Sequence, residues 1–117
     1  MPMSPEDQLQ ITLKDGEVLL HTFKAKVKGL FRSYPRTLFF TNKRFLQGDD
    51  CMLTSAPWEL LYLKKNGIKA RGKSMIINYR DLGKTRYIFK DQYEADKCVI
   101  AMCNVLKDFE TWKLVTG

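Results

Sequence analysis

Thr85-Arg86-Tyr87-Ile88-Phe89-Lys90-Asp91-Gln92-Tyr93-Glu94-Ala95 is the stretch where the pattern of the chain changes. Four of residues 85–89 are β-branched or aromatic, which reads as a strand. Asp91 with Glu94 three residues on is a capping-box signature. Beyond it Ala95, Val99, Met102, Leu106 and Phe109 recur at spacings of four and three, one apolar face of a helix from about Tyr93 to Thr111.

Upstream of the switch every signal is short and strand-like. Residues 18–28 form a first strand in which Lys24, Lys26 and Lys28 alternate with Phe23, Ala25 and Val27. Further strands are predicted over 36–40, 44–47, 59–64, 68–71, 74–79 and 85–89. The breaks fall at 29–35, at Thr41-Asn42-Lys43, at Gly48-Asp49-Asp50, at Asn66-Gly67, at Gly72-Lys73 and at 81–84. Asn-Gly between two such runs is a hairpin signal. Evenly spaced turns point to an antiparallel sandwich or barrel, not βαβ units. The fold class predicted is mainly β with one α-helix: a seven-stranded antiparallel barrel whose open end is plugged by the C-terminal amphipathic helix. Residues 1–10 read as a polar leader with room for a short helical turn, 11–113 as a single domain and 114–117 as a tail.

Composition bounds what such a domain can do. The 117 residues carry 20 Lys plus Arg against 13 Asp plus Glu, a formal net charge of +7. Between Glu17 and Asp49 seven basic residues stand without an acid: Lys24, Lys26, Lys28, Arg32, Arg36, Lys43 and Arg44. Between Glu59 and Asp81 there are six: Lys64, Lys65, Lys69, Arg71, Lys73 and Arg80. Residues 91–110 reverse the sign, so the charge is polarised and one face attracts a polyanion. No apolar run approaches the roughly 20 residues of a membrane-spanning helix, and no secretory signal is visible. Three cysteines without CxxC spacing read as thiols in a reducing, cytoplasmic compartment. Cys98 and Cys103, five apart in the helix, should point in different directions. One histidine, His21, supplies neither a zinc site nor a Ser-His-Asp set, and no P-loop, GxGxxG or HExxH occurs. An enzyme, a cofactor and a metal are therefore not expected. No recognition helix, RRM or zinc pattern accompanies the charge, which argues against nucleic acid.

Seven strands followed by one helix is the arrangement of the pleckstrin-homology (PH) superfold. The segment Lys26-Val27-Lys28-Gly29-Leu30-Phe31, followed by Arg32, Arg36 and the strand Thr37-Leu38-Phe39-Phe40-Thr41, resembles the PH domain of the phosphoinositide-dependent protein kinase type. The Pro57-Trp58 pair and the Thr85-Arg86-Tyr87-Ile88-Phe89 strand add to that likeness, which covers about residues 20–109. Residues 38–45, with Thr41-Asn42-Lys43-Arg44, also look like the strand pair of GRAM and bacterial PH-like domains. The family's arginine cluster is interrupted here by Ser33-Tyr34-Pro35, which leaves Arg32 and Arg36 to stand in for it.

The resemblance implies a phosphate-binding mouth between the first two strands, built by Lys26, Lys28, Arg32 and Arg36. Lysines supply point charges, and arginine can clamp a phosphate through two parallel N–H bonds. Lys26 and Lys28 share a strand face, and Arg36 is expected to converge with them across the hairpin mouth. Leu30, Phe31 and Tyr34 are candidates for shallow membrane insertion at the loop tip. Lys43 and Lys73 are accessory cations, and Met52, Met75 and Met102 are expected to be core or cover residues. The function these features imply is a recruitment module at the periphery of a membrane, binding a phosphoinositide or inositol phosphate. The alternative is a PH-fold module that takes a protein segment in the groove between a sheet edge and the terminal helix.

Overall fold

The run Leu38-Phe39-Phe40 has no polar alternation because its strand is buried on both faces. In the computed structural model, which describes residues 3–58, 63–79 and 83–107, it lies in β2 (Ser33–Thr41). β2 pairs with β1 (Leu19–Lys28) on one side and β3 (Arg44–Gly48) on the other. β4 (Leu53–Pro57), β5 (Leu63–Arg71), β6 (Ser74–Tyr79) and β7 (Gly83–Ile88) complete one antiparallel sheet. Its spatial order is β4-β3-β2-β1-β7-β6-β5, and a helix α2 (Gln92–Lys107) follows β7.

The inner face of the sheet supplies Phe23, Leu38, Phe40, Phe45, Met75, Ile77 and Tyr87, and α2 covers them with Ala95, Cys98, Met102 and Leu106. Asp91 starts α2 as read from the sequence, its Oδ1 accepting the Glu94 N–H at 2.9 Å. Tyr87 on β7 donates its hydroxyl to Gln47 Oε1 on β3 at 2.8 Å. Two strands separate β7 from β3 in the sheet order, so this bond spans the fold of a curled sheet. Trp58 is fully buried at the end of β4, stacked on Phe45 with centroids 5.8 Å apart and donating its Nε1–H to the Thr41 carbonyl at 2.7 Å.

Three expectations about the strands are corrected. Among the described residues β4 and β5 do not pair, so the sheet is open where a closed barrel was expected. Pro57, which has no N–H to donate, ends β4. β4 itself was not foreseen, because Thr54-Ser55-Ala56 carries little β signal. Asn66-Gly67 is not a turn: β5 runs through it, with an irregular register between Leu63 and Ile68, which merges two predicted strands into one. Residues 59–62 of the first of these lie outside the described residues, as do 108–111 of the predicted helix.

The N-terminal stretch is a folded part of the domain. Ser4 Oγ caps a helix α1 (Pro5–Thr12) by accepting the Asp7 N–H at 3.2 Å, and Pro5 opens its first turn. Leu9 is buried against Phe39 and Leu46 on the outer face of β2 and β3, with Leu13 and Leu53 beside it. A single buried leucine among polar residues gave little amphipathic signal. Met52 is exposed in the loop before β4, whereas Met75 and Met102 are buried as expected.

The cysteines are free, with Cys98 buried and Cys51 and Cys103 exposed, so Cys98 and Cys103 do point in different directions. Burial in the core, with a contribution from the Glu94 charge, pushes the Cys98 thiol up to about 12. The neighbouring Asp49 and Asp50 carboxylates push Cys51 up as well. Alkylation of the native protein at neutral pH is expected to label Cys103 first, Cys51 more slowly and Cys98 only after denaturation. Mass mapping that finds Cys98 labelled at a native-state rate contradicts this packing.

Candidate functional site

The β1–β2 register decides where each predicted side chain goes. Lys28 pairs with Ser33, Lys26 with Pro35, and Ala25 with Arg36. Directly paired residues share a face of the sheet, so Arg36 projects with Ala25 toward the inside and Lys26 and Lys28 project outward. The expected convergence of Lys26, Lys28 and Arg36 therefore does not form. Arg36 Nη1 lies 3.3 Å from Asp49 Oδ2. The Cys51 and Met52 N–H groups and the Arg36 charge hold the Asp49 carboxyl below its ordinary range. The inner mouth presents an ion pair at the rim of a cleft of about 560 Å³ walled by Phe45, Tyr79 and Tyr87.

The remaining candidates separate further. Gly29 donates its N–H to the Arg32 carbonyl at 2.8 Å and closes the turn. A Cβ there would come within 2.7 Å of both Arg32 O and the Tyr34 ring, so only glycine fits. The turn leaves Leu30 and Phe31 at the tip, 90% and 93% exposed. Tyr34 is not at the tip. It lies in β2 opposite Val27, with the Arg32 guanidinium 5.2 Å and the Arg36 guanidinium 6.0 Å from its ring centre. Lys43 is at the opposite end of β2 and donates to the Asp15 carbonyl at 2.9 Å, so it is remote from the first hairpin. Lys73 stands exposed in the β5–β6 turn, next to Gly72, whose φ of 60° needs glycine.

Pairing also sorts the charge. Three of the seven cations in the first acid-free segment are neutralised within the fold: Lys24 by Glu6, Arg36 by Asp49 and Arg44 by Glu17. Lys26 and Lys28 have no carboxylate partner among the described residues.

A second group of cations assembles on the outer face of β1, β7, β6 and β5. Lys26 pairs with Ile88, and continuing that antiparallel register sets Lys28 beside Arg86. Arg86 pairs with Ile76, and Ile76 with Lys69. Lys84 and Arg71 sit two residues along the same faces of β7 and β5. Ile76 is short and buried between these long side chains, and a hollow of about 450 Å³ opens above it. Lys28, Lys69, Arg71, Lys84 and Arg86 line the hollow together with Leu30 of the hairpin tip. No described carboxylate lines it or pairs with any of these cations.

Lys69, Arg71, Lys84 and Arg86 were not among the predicted site residues. Their signal is basic-x-basic, seen among others in Lys26-Val27-Lys28, Lys69-Ala70-Arg71 and Lys84-Thr85-Arg86. Such spacing puts both charges of each pair on one strand face. Among the described residues, no helix is long and apolar enough to cross a membrane. Comparison with known proteins finds no family that matches the chain and no curated protein similar to it.

Proposed function

We propose that this chain is a non-catalytic, PH-like recruitment module that docks on anionic membrane surfaces through the tip of its first hairpin. The strand order β4-β3-β2-β1-β7-β6-β5 with one helix packed after β7 supports the PH-like reading. The observation that carries the function is the contiguity of Leu30 and Phe31 with cations that have no carboxylate partner among the described residues. Leu30 borders the basic hollow while standing 90% exposed at the tip. Two large apolar side chains held in water by a closed glycine turn gain free energy when they enter an interface. The flanking Lys26, Lys28 and Arg32 then lie at headgroup level, where each adds about 1 kcal/mol on an anionic leaflet.

Co-sedimentation with phosphatidylcholine vesicles, with and without phosphatidylserine, tests this. The wild type is expected on the anionic vesicles. Leu30→Ser/Phe31→Ser is expected to lose at least about a hundredfold in affinity, from about 1.5–3 kcal/mol for each side chain. Its thermal stability should not change, because neither side chain packs in the core. Equal, weak recovery of the wild type on neutral and anionic vesicles ends this reading.

A second reading has one observation in its favour. Among the described residues the outer edge of β4 is unpaired and borders the apolar cleft between β3 and β7. An extended protein segment could add to that edge. The described α2 residues do not line this cleft, so it differs from the sheet–helix groove expected from the sequence.

A further inference from the structure

β4 ends the sheet on the side where it stays open, and its free edge has a defined hydrogen-bonding pattern. Trp58 donates its N–H to the Lys43 carbonyl at 3.3 Å, in the register that pairs Arg44 with Pro57 and Gln47 with Thr54. Backbone groups alternate in direction along an antiparallel ladder. Those of Ala56 and Thr54 therefore turn to β3, and those of Pro57, Ser55 and Leu53 turn outward. Pro57 fits this assignment, since the N–H it lacks would point away from β3. Among the described residues no strand meets the outward N–H and C=O groups of Leu53 and Ser55. Free edges are ordinarily blunted by a lysine or a bulge. β4 carries no charge, and its register with β3 is regular.

Side chains alternate as well. Phe45 and Gln47 line the inner cleft, so their partners Ala56 and Thr54 face it, while Leu53 packs with Leu9 on the outer face. Both inward residues are small, which leaves the cleft of about 560 Å³ open along β4, with Tyr79 and Tyr87 opposite. The Leu53 end of the strand carries local negative charge. Asp49 and Asp50 stand together in the preceding turn, and Arg36 pairs with Asp49. Asp50 has no cationic partner among the described residues.

We propose that the β4 edge and the inner cleft together bind an extended segment of a partner protein. The segment runs antiparallel to β4 and carries two large apolar side chains two residues apart, with a basic residue on their C-terminal side. The outward N–H and C=O groups select a polypeptide backbone. Residues opposite Ala56 and Thr54 share their face, so the side chains that enter the cleft are two apart. Aromatic rings suit its phenylalanine and tyrosine walls. Antiparallel pairing carries the C-terminal side of the segment past Asp49 and Asp50, where a cation is favoured. A second copy of this chain fits poorly. Paired β4 to β4 about a two-fold axis, it would offer only its own Thr54 and Ala56, too small to fill the cleft. The site rests on the strand-addition reading of the β4 edge and is independent of the membrane surface at the hairpin tip.

The full chain is to be titrated with a fluorescein-labelled synthetic peptide that alternates threonine with two phenylalanines and ends in lysine. One control peptide has the two phenylalanines adjacent, and another has glutamate in place of lysine. The expected result is binding of the first peptide at least about tenfold tighter than of either control. The net charge of +7 favours the glutamate peptide elsewhere on the surface, so a preference for lysine reports the Asp49–Asp50 turn. Amide hydrogen exchange at Leu53 and Ser55 should slow on binding, whereas Thr54 and Ala56 are already protected by β3. Ser55→Pro should weaken binding at least about tenfold, because it removes an outward N–H that β3 does not use. Thr54→Trp leaves the β4 backbone intact and fills the cleft from an exposed position, and it should lose the peptide as well. Leu30→Ser/Phe31→Ser should keep it.

Slowed exchange at Leu53 and Ser55 with equal affinity for all three peptides overturns the assigned segment chemistry and leaves strand addition standing. Unchanged exchange at both amides overturns the site and strand addition with it, while vesicle binding by the wild type keeps the membrane reading. Peptide binding lost in Thr54→Trp but kept in Ser55→Pro overturns the site in favour of a cleft that takes apolar groups without a strand. A concentration-dependent dimer that Ser55→Pro dissociates overturns it in favour of a second copy.

Discussion

Glu17→Gln is expected to destabilise the fold by about 3–5 kcal/mol, because it leaves a buried arginine without its counter-charge. Glu17 and Arg44 are 0% and 9% exposed at their side chains. Arg44 Nε donates to Glu17 Oε2 at 2.8 Å and Nη2 to Oε1 at 2.9 Å, a bidentate clamp. Thr41 donates its hydroxyl to Oε2 at 2.6 Å and the Lys14 N–H donates to Oε1 at 3.0 Å. Arg44 Nη2 also donates to the Thr12 carbonyl at 2.8 Å, so the network ties the end of α1 to β3. Burial alone would raise the Glu17 carboxyl. The hydrogen bonds from Arg44, Thr41 and Lys14 and the Arg44 charge outweigh it and hold the group at about 2, against an ordinary 4.5.

A carboxyl depressed in the folded state stabilises above its unfolded value and loses that contribution as pH falls through its folded value. The Glu17 contribution is therefore complete above about pH 5 and lost toward pH 2, a change of about 3 kcal/mol. Thermal melts of wild type and Glu17→Gln should differ by about 10–20 °C at pH 7 and by clearly less at pH 3. A gap that stays constant between these pH values refutes the ionic origin of the effect. Since this residue is remote from the first hairpin, the same melts with and without anionic vesicles separate stability from docking.

What the sequence carried and what it did not can be traced to particular residues. The switch at Asp91 and the alternation in β1 report local periods, which survive folding, and such periods were sufficient for six of the seven strands and the closing helix. β4 and α1 escaped because Thr54-Ser55-Ala56 and a helix with one buried leucine owe their structure to neighbours rather than to their own pattern. The site failed at a finer point. In the β1–β2 hairpin paired residue numbers sum to 61 along residues 22–28, which sets Arg36 opposite Ala25. A slip of one residue would have put it with the lysines, and nothing local decides between the two. The basic-x-basic pairs at 26/28, 69/71 and 84/86 were visible in the chain, whereas their assembly depends on β7 lying beside β1, a long-range fact. Electrostatic reading by segment also overcounted. Lys24, Arg36 and Arg44 belong to an acid-free stretch, yet each meets an acid from outside it.

Trp58→Ala is expected to cost about 3–5 kcal/mol, the range for removing a large buried aromatic. Trp58 is fully buried in the inner core just after β4. Its ring stacks on Phe45 and meets Phe40 edge-on at 5.5 Å, so deletion removes two aromatic contacts as well as buried area. Trp58→Phe keeps an aromatic ring but loses the Nε1–H donated to the Thr41 carbonyl, which leaves a buried acceptor unsatisfied at about 1–3 kcal/mol. Urea unfolding followed by circular dichroism should rank the chains wild type, Trp58→Phe, Trp58→Ala. The hairpin tip and the basic hollow lie away from this residue, one at the β1–β2 turn and the other on the opposite face of the sheet. Trp58→Phe, kept folded at low temperature, should therefore bind anionic vesicles as the wild type does. A binding loss that tracks the stability loss would mean that the outer basic row depends on the packing of the core beneath it, and would move the origin of the hollow from strand register to the inner aromatic cluster.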